Sequence, residues 1–180
     1  MSGRRVLIVE DEMVVQLHLS RIVTELGHEV VGTAMNTREA LEIAQREAPE
    51  LVLMDIHLAD GDDGVDTAHT LVRGLDCAIV FVTAYADQRT IERSEHVGAA
   101  GYLVKPFTAP AVRAAISTAM AGHQRLQRVR GEARALSSIV DSMGDALLMI
   151  DASGKITFTN PRAAELTGCA PNEADGRELF

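Results

Sequence analysis

No apolar run in this chain approaches the roughly 18–20 residues that cross a bilayer. A membrane-spanning helix is therefore not expected, and no membrane partner either. Cysteine is scarce. Cys77 and Cys169 stand far apart and lack metal-ligand spacing, so nothing calls for a disulfide framework, a zinc site or an oxidising compartment. Cys77 is expected to pack in or beside a strand. The start, Met1-Ser2-Gly3-Arg4-Arg5, runs straight into a short apolar segment without a small-residue cleavage site. A secretory leader is thus not expected, and a cytoplasmic location is. Positive charge is also in deficit. Residues 1–121 carry 18 acids against 10 Lys/Arg, and the whole chain is −9. Such an acidic body argues against nonspecific nucleic-acid binding. The one basic stretch, 122–140, sets Arg125, Arg128, Arg130 and Arg134 against Glu132. It reads as the solvated face of a linker helix rather than a phosphate-binding patch.

What is present is a set of short apolar runs, each ending on a reactive residue. Val6-Leu7-Ile8-Val9 leads into Glu10-Asp11, and Leu51-Val52-Leu53-Met54 into Asp55. Ala78-Ile79-Val80-Phe81-Val82 leads into Thr83, and Leu103-Val104 into Lys105-Pro106. Unbroken apolar runs of this length read as strands buried on both faces, hence a parallel sheet covered by helices. A fifth, edge-like strand is expected at Glu29–Thr33. Helical spacing follows each strand: Val15, Leu19, Ile22 and Leu26, with Gly27 as a stop; then Ala40, Leu41 and Ala44 after an Asn36/Glu39 capping box; then Val65–Arg73; then 87–97, capped by Asp87 and poor in large apolar residues. His18, His69 and His96 read as surface or helix residues. Five βα units joined by short loops give an α/β doubly wound fold.

In such a sheet the strand carboxyl ends share one edge, where ligands bind. Glu10, Asp11 and Asp55 then crowd together, and like charges raise one another's pKa unless a cation intervenes. An oxygen-only cluster suits a hard ion, Mg²⁺ or Mn²⁺. With Lys105 and Thr83 alongside, a phosphoryl donor would meet a carboxylate nucleophile, a fixed positive charge and a hydroxyl. The expected product is an aspartyl phosphate.

These residues carry a resemblance. Val6-Leu7-Ile8-Val9-Glu10-Asp11-Glu12, Leu53-Met54-Asp55-Ile56, Val82-Thr83-Ala84 and Gly101-Tyr102-Leu103-Val104-Lys105-Pro106-Phe107 make residues 4–121 resemble a two-component response regulator receiver domain. The resemblance implies a flavodoxin-like, five-stranded parallel sheet in the order 2-1-3-4-5. It implies that Asp55 is the phosphoacceptor, and that Mg²⁺ is held by Glu10, Asp11, Asp55 and the backbone carbonyl of His57. Thr83 would bond the phosphoryl group, Lys105 would pair with it, and Tyr102 would reorient when Thr83 moves. Lys105-Pro106 would be a cis peptide. The implied partner is a histidine kinase or phosphotransfer protein. Two features depart from the common pattern. Ala59 stands where most receivers have proline, and the loop Leu58–Gly64 is one residue longer. His57 and Tyr85 flank the site where the family tunes phosphate lifetime. A ring-ligating His57 is the competing metal reading.

From 109 to 143 there is no proline after Pro110, and Val112, Ile116, Ala119, His123, Leu126, Val129, Ala133, Leu136, Val140 and Met143 follow steps of three and four. The expectation is one long helix, with 122–143 a linker and possible coiled coil that pairs two chains into a homodimer. The same stripe could instead pack on the chain's own body, or the helix could break near Gly122. Residues 144–180 resemble the start of a PAS sensor domain, α+β in type, through Asp145–Asp151, Gly154-Lys155-Ile156 and Asn160–Gly168. The segment is well short of a whole domain, so no haem, flavin or other organic cofactor is expected here. An alternative function is a Mg²⁺-dependent phosphatase like the haloacid dehalogenases, with Asp55 as nucleophile. It wants a second Asp two residues on, where this chain has His57. A flavin-binding flavodoxin would need a phosphate-cradling loop where Glu10-Asp11-Glu12 stand. A signalling module rather than an enzyme is the expected reading, its output lying beyond the receiver.

Overall fold

The computed structural model describes residues 3–84, 93, 97–153 and 155–167. The element order is β1 (Arg5–Val9), α1 (Met13–Glu25), β2 (Glu29–Ala34), α2 (Thr37–Glu47), β3 (Leu51–Asp55), a 3₁₀ turn (Ala59–Gly61), α3 (Gly64–Gly74), β4 (Ala78–Thr83), β5 (Gly101–Val104), α4 (Ala109–Ser142), β6 (Leu148–Ile150), β7 (Ile156–Thr159) and α5 (Pro161–Thr167). The expected helix at 87–97, with Tyr85 and His96, lies outside the described residues except at Arg93 and Val97, as do Gly168 and Cys169. The chain divides into two compact units, Met1–Arg125 and Leu126–Phe180.

The first unit is built on a five-stranded sheet in the order β2-β1-β3-β4-β5, every pairing parallel. Side chains alternate across a strand, so each apolar run feeds two cores. Val6, Ile8, Leu51, Leu53, Val80 and Val82 meet Leu19, Ile22 and Val23 of α1 and Val112, Ile116 and Ala119 of α4. Leu7, Val9, Val52, Met54, Ile79 and Phe81 meet Ala40 and Ala44 of α2 and Val65, Ala68 and Leu71 of α3. Burying each large side chain contributes about 1.5–3 kcal/mol, which is why β3 and β4 tolerate no polar residue before their last position. Cys77 packs at the entry to β4, in the second of these cores.

The expectation of strands buried on both faces fails for β5. Among the described residues it pairs only with β4, and Val104 is 54% exposed. A short apolar run does not reveal that it sits at a sheet edge. The Asn36/Glu39 box is also modified. Asn36 accepts from the Glu39 N–H at 3.0 Å, but the Glu39 carboxylate reaches back to Met35 N–H, one residue beyond the usual position. Lys105-Pro106 is cis.

α4 runs unbroken for 34 residues through Gly122 and Gly131. Its apolar stripe divides. Val112, Ile116, Ala119 and Met120 are buried in the first unit. Leu126, Val129, Leu136, Ile139 and Met143 are exposed. His123 stands at the changeover, its Nε2 3.0 Å from the Asp76 carboxylate.

In the second unit β6 and β7 form an antiparallel pair. Both strands are shorter than the apolar segments suggested. The Asp151 carboxylate accepts from Ser153 N–H (2.8 Å), Ser153 Oγ (2.6 Å) and Lys155 N–H (3.0 Å), and so closes the turn. These bonds favour the ionised form and lower the Asp151 pKa. Among the described residues, no helix is long and apolar enough to cross a membrane.

Candidate functional site

The site lies along the carboxyl edge of the first sheet. Glu10 follows β1, Asp55 closes β3, Thr83 closes β4 and Lys105 follows β5. Parallel strands bring these four residues, remote in sequence, to one edge. Glu10, Asp55 and Thr83 are all buried, and Asp11 is half-buried. Lys105 Nζ donates to Asp55 Oδ2 at 2.6 Å and to Glu10 Oε1 at 2.9 Å. Asp55 Oδ1 accepts from the His57 N–H at 3.2 Å. Carboxylate oxygens of Glu10, Asp11 and Asp55 lie within 4.8 Å of one another.

Electrostatics follow from this crowding. Burial, reinforced by the Asp55 carboxylate and opposed by Lys105, raises the Glu10 pKa to about 7. For Lys105, burial disfavours the ammonium, but the two carboxylates outweigh it and hold its pKa above the ordinary value. One ammonium cannot balance three carboxylates. Glu10 Oε2 and Asp55 Oδ2 compete for the same ammonium. Glu10 Oε2 is buried, ion-paired with Lys105 Nζ at 2.7 Å, and has no hydrogen-bond partner among the described residues. Three hard oxygen donors sharing one ammonium fit a divalent cation such as Mg²⁺.

Backbone packing fixes Asp55 from behind. Gly64 N–H donates to the Ile56 carbonyl at 2.8 Å, and a Cβ at Gly64 would overlap the carbonyl oxygen of Asp55. Asp63 caps α3 through Val65 and Asp66 N–H, and Arg93 pairs with Asp63 and Asp66 at 2.9 and 3.3 Å. His57 pairs with Asp63 through the backbone, and its ring is not part of the carboxylate cluster. Tyr102 is half-buried on β5, stacked 6.2 Å from Phe81.

Sequence reasoning missed a contact beside Lys105. The His18 ring stacks on Phe107 at 5.7 Å and 12°. Val14, Val15 and His18 of α1 and Lys105–Phe107 line a cavity of about 430 Å³. His18 is a helix surface residue as expected, but no local pattern pairs it with a residue so distant in the chain.

Comparison with known proteins bears on this geometry. The family model of the response regulator receiver domain matches residues 6–117. The chain belongs to that family. A PAS fold model matches residues 134–180, beyond the receiver match. The transcriptional regulatory protein PdtaR of Mycobacterium tuberculosis is 35% identical over 139 residues, covering 77% of this chain and 67% of that protein. The phyllosphere-induced regulator PhyR of Methylorubrum extorquens is 38% identical over 125 residues, covering 68% of this chain but only 46% of PhyR. Among solved structures, the signal receiver domain of a modulated diguanylate cyclase from Desulfovibrio desulfuricans superposes with a TM-score of 0.64 at 34% identity, covering 68% of this chain and 98% of that one. The receiver here has the flavodoxin-like sheet order the resemblance implied. These relatives are regulators and receiver domains, and they lend no support to the dehalogenase-like alternative.

Proposed function

We propose that this receiver is a phosphorylation switch in which Asp55 takes a phosphoryl group from a histidine kinase or phosphotransfer protein. The observation that carries the reading is the single Lys105 ammonium bridging Glu10 and Asp55 at the mouth of a three-carboxylate cluster. An Asp55 carboxylate oxygen forms a bond to phosphorus. The phosphorus–nitrogen bond of the donor phosphohistidine breaks, and its electron pair stays on the imidazole. Glu10, Asp11, Asp55 and the His57 carbonyl would hold Mg²⁺ or Mn²⁺, which when bound neutralises phosphoryl oxygens. Lys105 then exchanges its bond to Asp55 for one to the phosphoryl group, and Thr83 donates its hydroxyl to a phosphoryl oxygen. Catalysis here is positioning and fixed charge, and it serves only the receiver's own phosphorylation and dephosphorylation. Incubation with acetyl phosphate and Mg²⁺, read by intact mass, tests the reading. One added phosphoryl group per chain is expected, and none would refute it.

The proposed organisation is a receiver over 4–121, a linker helix over 122–143 and a PAS start over 144–180, in a cytoplasmic protein that engages neither nucleic acid nor membrane. Thr83 and Tyr102 would relay the switch to segment 87–97. Beryllofluoride should change amide exchange there, and Thr83→Ala should suppress that change while leaving Mg²⁺ affinity within about threefold, an expected margin since the hydroxyl is no metal ligand here. An undiminished response would remove Thr83 from the relay.

The exposed half of the α4 stripe supports a parallel homodimer, since an apolar seam of this spacing needs a facing helix. Leu136→Glu, at a 64% exposed position that the first unit does not use, should weaken dimerisation at least about tenfold, given about 1.5–3 kcal/mol for each buried leucine. Light scattering decides. A native chain that stays monomeric at high concentration, with and without beryllofluoride, would end the coiled-coil reading.

A further inference from the structure

Asn160 is fully buried between β7 and α5, and its amide makes the four hydrogen bonds such a group can make. Its Oδ1 accepts from Leu147 N–H at 2.8 Å and from Ala163 N–H at 2.9 Å. Its Nδ2 donates to the carbonyls of Val140 at 3.2 Å and Asp145 at 3.0 Å. Its own backbone N–H donates to the Leu147 carbonyl at 3.0 Å.

Two of these contacts close helices from opposite ends. Ala163 is the third residue of α5, so the bond to its N–H is an N-cap. Val140 lies in the last turn of α4, whose carbonyls have no partner further along the helix. Among the described residues, only the Met143 N–H approaches it through the backbone, at 3.3 Å. The other two contacts hold Asp145 and Leu147, at the entry to β6. We infer that Asn160 is the joint through which the last turn of α4 and the start of the PAS fold are held or released together. Aspartate could keep the acceptor side of the joint but has no N–H for Val140 and Asp145. Serine could keep the α5 cap but is too short for the rest. The inference uses only contacts within the second unit and stands whether or not Asp55 is phosphorylated.

The test is a mutant cycle on the 1–180 chain, read by amide exchange. Ile139→Gly loosens the end of α4 at an exposed position, by about 1 kcal/mol or roughly fivefold in local opening. In the native background, Leu147 and Ala163 should exchange faster by about the same factor, since the joint passes the loosening on. With Asn160→Asp or Asn160→Ser present, Ile139→Gly should change those amides by less than about twofold, because the link is already cut. The Asn160 variants alone should speed exchange at Ser142 and Met143, which a purely local α5 cap would leave untouched. That last readout also decides the matter if the hairpin melts in the variants. Unchanged exchange at the end of α4 would overturn the inference. So would an Ile139→Gly effect on Leu147 and Ala163 that is absent in the native chain or undiminished in the variants.

Discussion

Asp55→Asn should abolish phosphoryl incorporation from acetyl phosphate while the receiver stays folded. The amide is nearly isosteric, keeps one oxygen that can accept from either Lys105 Nζ or the His57 N–H, and leaves Gly64 its room against the Asp55 carbonyl. What it lacks is a carboxylate oxygen able to form the acyl phosphate. Removing the charge also relieves Glu10, whose raised pKa owes part of its shift to Asp55. Incorporation in the native chain should vanish on chelation, because the three carboxylates would otherwise repel the incoming phosphoryl oxygens. Intact mass with and without chelator measures both effects. Labelling that persists in Asp55→Asn would place the acceptor elsewhere, and labelling indifferent to chelation would remove the metal from the reaction.

Glu10 should make the metal-free chain less stable as pH rises from 5 to 8. Its pKa is about 7 in the folded chain against 4.5 for the free side chain. Between those values the folded state keeps a proton that the unfolded state has released, so stability falls with rising pH. The stabilisation is complete below pH 4.5 and gone above about 7. Its size is on the order of 3 kcal/mol for a shift of this extent. Mg²⁺ favours the ionised carboxylate and should therefore stabilise the chain more at pH 8 than at pH 5. Glu10→Gln should flatten the slope. Burial first, then Arg4 and Arg113, lower the His28 pKa and push stability the other way, but that contribution is common to both chains and cancels in the comparison. Urea midpoints in chelator at the two pH values measure the difference. An equal slope in Glu10→Gln would assign the pH dependence to another group.

The candidate site residues were legible because each closes an apolar run, and a buried strand displays its end as a change of composition. Glu10, Asp55, Thr83 and Lys105 stand at the sheet edge that reading required. Other features leave no such mark. Val104 belongs to a run as apolar as the buried ones, and the run by itself does not mark β5 as an edge strand; the sheet order that the resemblance implied does. The α4 stripe alternates steps of four and three from Val112 to Met143 except across His123–Val129, where two threes adjoin; that interruption falls at the division, but it does not say which half faces the sheet and which faces solvent. Asn160 directly before Pro161 has the composition of a helix cap, but its bond to Val140 depends on where α4 ends. Gly64 read as a loop glycine. Its role against the Asp55 carbonyl is a matter of backbone approach.

The division of the α4 stripe gives the protein engineer a grafting point. Up to Met120 the helix is bound into the receiver core, and from Leu126 its large apolar side chains are exposed, half-buried Val140 apart. A foreign output spliced after residue 125 would leave the receiver core whole. One residue more or less at the splice turns everything downstream by about 100°, whereas seven residues restore the face to within about 20° and lengthen the helix by about 10.5 Å. Chimeras built on this receiver should therefore sort by helical phase, with heptad spacers interchangeable and single-residue spacers not.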